Sequence, residues 1–231
     1  LYSYLLNDIF YKDRQEDSDE FLRSLLEGSF RGNLGCPTIV KAMSGTVQQF
    51  LRCTNGGCTG EIPSTVENFS WLSLPVRSGE GTISSAQEAI NARRMETLLE
   101  GLENTCPACG RGSNLDRHFW KQQTRVIEYP EVLVLVLNRW NTPYGASLHT
   151  VRANESLYFQ GRRYALVSTV CHLGPSPHAG HYIAVARHGS AAGDWWVYDD
   201  DMCTLAEPPE VSTESANYRH CLLYTSPSPR D

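Results

Sequence analysis

The chain has 231 residues, 41% of them hydrophobic and 20% charged, the make-up of one large packed domain or two small ones. Its net charge of −6 has the wrong sign for tracking phosphate backbones, which argues against nucleic acid as a partner. The longest apolar run, residues 132–137, falls far short of the about 20 residues that cross a bilayer, and eight cysteines are too few for a disulfide scaffold.

The first 30 residues carry seven acids (Asp8, Asp13, Glu16, Asp17, Asp19, Glu20, Glu27) against three bases (Lys12, Arg14, Arg23). That local excess of negative charge suits a basic peptide or protein face, and the plainer reading is a solvated helix face. Residues 13–27 read as an amphipathic helix. Phe21, Leu22, Leu25 and Leu26 share one face, Asp13 or Asp17 caps the start, and Gly28 stands at the C-cap. Asp17 and Glu20 fall off the apolar stripe near the helix start, where carboxylates suit the dipole.

Residues 45–51 and 66–76 read as strands on either side of Cys53 and Cys58, with Asn55-Gly56-Gly57 as a tight turn. Ser84 or Ser85 opens a short helix that runs toward Gly101; each has a glutamine or glutamate three residues on, as a capping box requires. Residues 126–129, 131–139, 164–171, 181–186 and 195–198 read as strands. The run 132–137 is apolar on both faces, so it belongs at the centre of a sheet. Residues 174–177 and 189–193 read as loops. The Pro/Ser-rich end, 225–231, reads as a disordered or foreign tail.

Two constellations carry chemistry. Cys53 and Cys58, then Cys106 and Cys109, have the spacing of a four-thiolate zinc site. Such a site is closed, so the zinc is structural, and thiols kept for metal point to a reducing, intracellular compartment. In Cys106-Pro107-Ala108-Cys109-Gly110 the proline stiffens the turn and the glycine admits backbone amides to the sulfurs. The second constellation is His181, which begins an apolar strand after Gly180, with Asp199 at the end of the next strand. If the two strands pair antiparallel, imidazole and carboxylate meet across the hairpin: His181 as general base, Asp199 as the group that orients it, Asp200 as the alternative orienter. His172 and His178 flank a Gly/Pro loop and shape it.

Taken in order, these residues resemble the ubiquitin-specific protease family of cysteine deubiquitinases. Gln15-Glu16-Asp17-Ser18-Asp19-Glu20-Phe21-Leu22 is similar to one of its boxes, and the two cysteine pairs to the zinc ribbon of its fingers. Pro130-Glu131-Val132-Leu133-Val134-Leu135-Val136-Leu137-Asn138-Arg139-Trp140 resembles a palm strand. His172-Leu173-Gly174, Ala179-Gly180-His181-Tyr182 and Trp196-Val197-Tyr198-Asp199-Asp200 resemble the histidine box, and residues 218–224 a closing strand. The resemblance implies an α+β, papain-like fold of thumb, palm and zinc-ribbon fingers: residues 1–34 as the end of the thumb, 35–120 as fingers, 121–224 as palm. It implies thiol-dependent hydrolysis of the isopeptide or peptide bond after ubiquitin's C-terminal glycine, with ubiquitin and ubiquitinated proteins as partners and no nucleic acid or membrane. His181, Asp199 and Asp200 match the catalytic positions. Gln15, Asp17, Glu20, Gly180 and Tyr182 match positions along the ubiquitin tail. The family's nucleophilic cysteine lies upstream of the Gln15 box, and none of the eight cysteines here takes its place. The expectation is therefore a catalytic domain truncated at its N-terminus, with most of the thumb missing and no activity of its own. The rival is a non-catalytic ubiquitin-binding or scaffolding module.

Overall fold

The computed structural model describes residues 18–30, 37–78, 81–93, 96–99, 105–110, 120–139, 149–176, 179–188, 193–206 and 217–226. Three helices lie among them: α1 (Ser18–Phe30), α2 (Pro37–Met43) and α3 (Ala86–Ala92). The strands up to the middle of the chain are β1 (Gly45–Cys53), β2 (Glu61–Phe69), β3 (Leu72–Pro75), β4 (Arg77–Ser78), β5 (Gly81–Thr82), β6 (Glu96–Leu99) and β7 (Trp120–Glu128). They are followed by β8 (Val132–Asn138), β9 (Ser156–Phe159), β10 (Arg162–Ser176), β11 (Ala179–Arg187), β12 (Trp195–Asp199), β13 (Met202–Ala206) and β14 (Asn217–Thr225). No helix among the described residues is long and apolar enough to cross a membrane.

The chain divides into two compact units, each with its own sheet. The smaller, Gly45–Phe69 with Arg94–Tyr129, is an antiparallel sheet in the order β2-β1-β7-β6. Its buried centre is Cys53, Cys106 and Trp120, with Leu51, Cys58, Ile62 and Leu99 packed around them. Two of the three central residues are thus cysteines, and this core is built about sulfur. On one face Arg125 forks onto Glu61 at 2.5 and 3.0 Å and lies over the Phe50 ring. Both charges are partly exposed, so the pair adds at most about 1 kcal/mol.

The larger unit holds an eight-stranded sheet in the order β13-β12-β11-β10-β14-β8-β3, with β9 also paired to β10. Every pairing is antiparallel except β3 with β8. As its sequence demands, β8 lies between β14 and β3 and buries Leu133, Val134, Leu135, Val136 and Leu137. Each such side chain contributes about 1.5–3 kcal/mol on leaving water. Leu22 of α1, Met43 of α2, Trp71, Val170 and Leu223 pack against Val134 and Val136. Buried tyrosines tie loops to the sheet: Tyr164 donates to the Pro130 carbonyl and Tyr224 to that of Asn154, both at 2.9 Å.

Several boundaries differ from those read in the sequence. The caps Asp13 and Asp17 lie outside the described residues, and α1 runs through Gly28 to Phe30. One helical glycine costs only about 1 kcal/mol, which burial of Leu26 outweighs. Residues 66–76 are not one strand, because β2 ends at Phe69 and β3 starts a second sheet at Leu72. Ser85 is the N-cap of α3 and accepts from the Glu88 amide at 3.2 Å, while the Glu88 carboxylate reaches back to Ser84. That helix stops at Ala92 rather than near Gly101, since Arg93 turns to extended backbone and β6 then pairs with β7. Residues 174–176, read as loop, complete β10, whose pairing with β11 shifts between Leu173 and Ser176. At the other end Thr225, read as tail, pairs with Ala165, and the Ser226 amide donates to the Glu131 carbonyl. The remainder of the tail lies outside the described residues.

Candidate active site and metal centre

β11 and β12 pair antiparallel, with Val185 opposite Val197 and Ala184 opposite Tyr198. Side chains alternate along a strand, so residues 181, 183 and 185 share a face with 197 and 199. This parity puts His181 and Asp199 on the same side of the sheet. His181 Nε2–H donates to Asp199 Oδ1 at 2.5 Å. The bond fixes one tautomer and turns Nδ1 toward the opposite edge of the ring. Strand parity alone would send Asp200 to the other face. Asp200 has left the strand, however: it sits at φ 50°, in the two-residue turn closed by the Asp199–Met202 pair. Aspartate tolerates this left-handed conformation better than most residues. The turn brings one oxygen of Asp200 within 4.8 Å of the ligating atoms of both His181 and Asp199.

The Asp199 hydrogen bond holds the His181 pKa above the usual 6.5. Partial burial works against it, and the charges of Asp199 and then Asp200 add to it. The side chains of His181 and Asp199 are 41% and 49% exposed, open to an incoming substrate and to water. A histidine so held is equipped to take and return a proton, given a nucleophile beside Nδ1.

In the smaller unit the four cysteine sulfurs lie within 4.8 Å of one another. Cys53 and Cys109 are 3.9 Å apart, and Cys58 and Cys106 3.6 Å. Four sulfurs arranged tetrahedrally at about 2.3 Å from a zinc ion are about 3.8 Å apart, so the donor set fits that ion. Burial, then the neighbouring thiols, pushes the Cys53 thiol up to about 12, with the Asn55 backbone opposing. A thiol so placed ionises readily only with a cation at hand, which is what a metal supplies. The Asn55-Gly56-Gly57 turn is present, with the Cys58 amide donating to the Asn55 carbonyl and Gly57 at φ 76°.

The family model for ubiquitin carboxyl-terminal hydrolase matches residues 3–224. The chain belongs to the ubiquitin carboxyl-terminal hydrolase family. Ubiquitin carboxyl-terminal hydrolase 25 of Arabidopsis thaliana is 22% identical over 233 aligned residues, covering 90% of this chain and 33% of that protein. Ubiquitin carboxyl-terminal hydrolase 26 of Oryza sativa subsp. japonica is 26% identical, covering 81% of this chain and 18% of that protein. The chain thus spans a third or less of these relatives. Among solved structures, the SAGA Ubp8/Sgf11/Sus1/Sgf73 DUB module bound to ubiquitin aldehyde matches with a TM-score of 0.69 at 20% identity, over 93% of this chain and 50% of the solved one. That likeness shows the fold, and with it the expected α+β architecture with a cysteine cluster suited to zinc-ribbon fingers.

Gln15 and Asp17 lie outside the described residues. Glu20 is exposed on α1. Gly180 adjoins His181, but its bare α-carbon is already in use. A Cβ there would stand 2.5 Å from the Leu173 carbonyl oxygen and 2.6 Å from His172 Nε2. The glycine therefore answers first to the protein's own packing. Tyr182 lies across from His172 in the β11–β10 register, and their rings meet at 4.7 Å. The sequence set His172 just past the strand 164–171, flanking a Gly/Pro loop. It is instead wholly buried in β10, beneath the backbone that carries His181. The sequence signal was the strand run 164–171, which ends directly before it.

Proposed function

We propose that the full-length protein is a thiol-dependent deubiquitinase that hydrolyses isopeptide or peptide bonds after the C-terminal glycine of ubiquitin. The observation that carries the reading is the His181–Asp199 hydrogen bond with Asp200 alongside it, in a chain of this family. In this mechanism His181 Nδ1 takes the proton from a cysteine thiol, and the thiolate attacks the carbonyl carbon of the scissile bond. His181 then gives that proton to the departing amine, leaving a thioester. Water attacks the thioester, His181 takes the water's proton, and the carboxylate and thiol are released. Asp199 keeps the tautomer and stabilises the imidazolium, and Asp200 adds its charge. We place the nucleophilic cysteine in a segment of the full-length protein outside residues 1–231, so the 231-residue chain alone is inactive.

In the same reading the smaller unit forms the fingers, and the larger unit the palm with the end of the thumb. Cys53, Cys58, Cys106 and Cys109 hold one structural zinc, which fixes the ribbon and takes no part in the reaction. Gln15, Asp17, Glu20, Gly180 and Tyr182 line the path of the ubiquitin tail, the acids facing its basic residues. Solved neighbours of the same fold are described as bound to ubiquitin aldehyde and to monoubiquitin, which supports ubiquitin as the partner. Free thiols in the cluster suit a reducing, intracellular setting. The test is to offer the full-length protein ubiquitin bearing a C-terminal fluorogenic amide. Release of the fluorophore by the wild type supports the reading. Binding of ubiquitin without turnover supports the non-catalytic module in its place.

A further inference from the structure

We propose that Gly60 positions the four-cysteine cluster: its missing side chain and its backbone amide let Cys58 and Cys106 meet on one ion. The inference rests on the zinc reading above. Gly60 lies two residues past Cys58, where the chain turns back toward β2, and it is buried. Its N–H donates to Cys58 Sγ at 3.3 Å. Its carbonyl accepts from the Cys53 amide at 2.9 Å. One residue thus ties together both cysteines of the first pair, and its amide dipole faces a sulfur that carries negative charge once metal is bound. The α-carbon faces the second pair. A Cβ on Gly60 would collide with Cys106 Sγ, stand 3.1 Å from Ala108 Cβ and 3.4 Å from Cys58 Sγ.

Neighbouring glycines serve a different need. Gly57 and Gly110 have φ of 76° and 68°, and a Cβ on either meets nothing within 4 Å. They supply left-handed turns. Gly60 is not among the positive-φ glycines, so glycine is required there for space beside sulfur rather than for backbone freedom. In Cys106-Pro107-Ala108-Cys109-Gly110 the Gly110 amide goes to the Cys106 carbonyl. An amide that faces a sulfur thus arises in the wider Cys53–Cys58 arm, where the spacing gave no hint of it.

The test uses the 231-residue chain. Zinc content is measured by mass spectrometry, zinc affinity by competition with a chromophoric chelator, and site geometry by the absorption bands of the cobalt-substituted protein. We expect about one zinc per wild-type chain, and binding about 10- to 100-fold weaker in Gly60→Ala with altered cobalt bands. Gly57→Asn, whose side chain tolerates the left-handed turn, should bind as the wild type does. If Gly60→Ala binds zinc as tightly as wild type with unchanged cobalt bands, the role of Gly60 is overturned and the zinc reading stands. If the wild type binds no zinc, the zinc reading falls and takes this inference with it. Should Gly60→Ala lose sheet structure by circular dichroism, recovery on adding excess zinc supports the role. Failure to recover at saturating zinc assigns Gly60 to plain packing and overturns it.

Discussion

His181 was legible as a base candidate because a histidine stands at the start of an apolar strand with a carboxylate ending the next. Asp199 was legible as its first partner and Asp200 as the alternative. The β11–β12 register and the hydrogen bond join His181 to Asp199. The turn at Asp200, φ 50°, which the sequence did not show, brings the second carboxylate near. A titration follows from the geometry. The folded pKa of His181 lies above 6.5, so the ion pair stabilises the fold fully below that value and is lost as pH rises through the raised pKa. Asp199→Asn should return the His181 titration toward 6.5, read from the imidazole proton shifts by NMR; an unmoved midpoint would show that the hydrogen bond is not what raises it. Both side chains are about half exposed, so the same substitution should cost no more than about 1 kcal/mol in a denaturant melt. On the proposed mechanism the base works as the neutral ring, so ubiquitin-amide turnover by the full-length protein should rise with pH through the same raised midpoint.

Strands with a strong pattern were the legible elements. β8 declared itself by being apolar on both faces, and it is central. β13 gave no such sign: most of Met202-Cys203-Thr204-Leu205-Ala206 is exposed, and the strand exists because the tight turn after Asp199 folds it back on β12. The end of α3 was missed for a related reason, since pairing of β6 with β7 holds Glu96–Leu99 as a strand where a helix was expected. Leu135→Ala should lower stability by about 2–5 kcal/mol, measured as a shift in denaturant midpoint, because Leu135 is fully buried between two neighbouring strands. Ser85→Ala should cost about 1 kcal/mol, the worth of an N-cap, since Glu88 would lose the acceptor for its amide. A loss under 0.3 kcal/mol, on the order of measurement error, would place the cap's acceptor elsewhere.

At the scale of the molecule, the two units have cores of different kinds. The larger buries a continuous aliphatic sheet face. The smaller has about 60 residues and a centre made of two cysteines and a tryptophan, below the size at which an apolar core suffices alone. The spacing of the cysteines announced this unit; its bounds were hidden, because the chain enters it at Gly45, leaves at Phe69 and returns for residues 94–129. A chelator should therefore unfold the smaller unit first, seen as a change in near-ultraviolet signal from Trp120, while the larger sheet persists to higher temperature. A single transition untouched by chelator would show that no metal supports it. The proposed chemistry rests on proton transfer by His181. The direct measurement is kcat for ubiquitin cleavage by the full-length protein and by its His181→Ala variant: a fall of about 10²–10⁴ with KM little changed is expected, and an unchanged kcat would contradict the account.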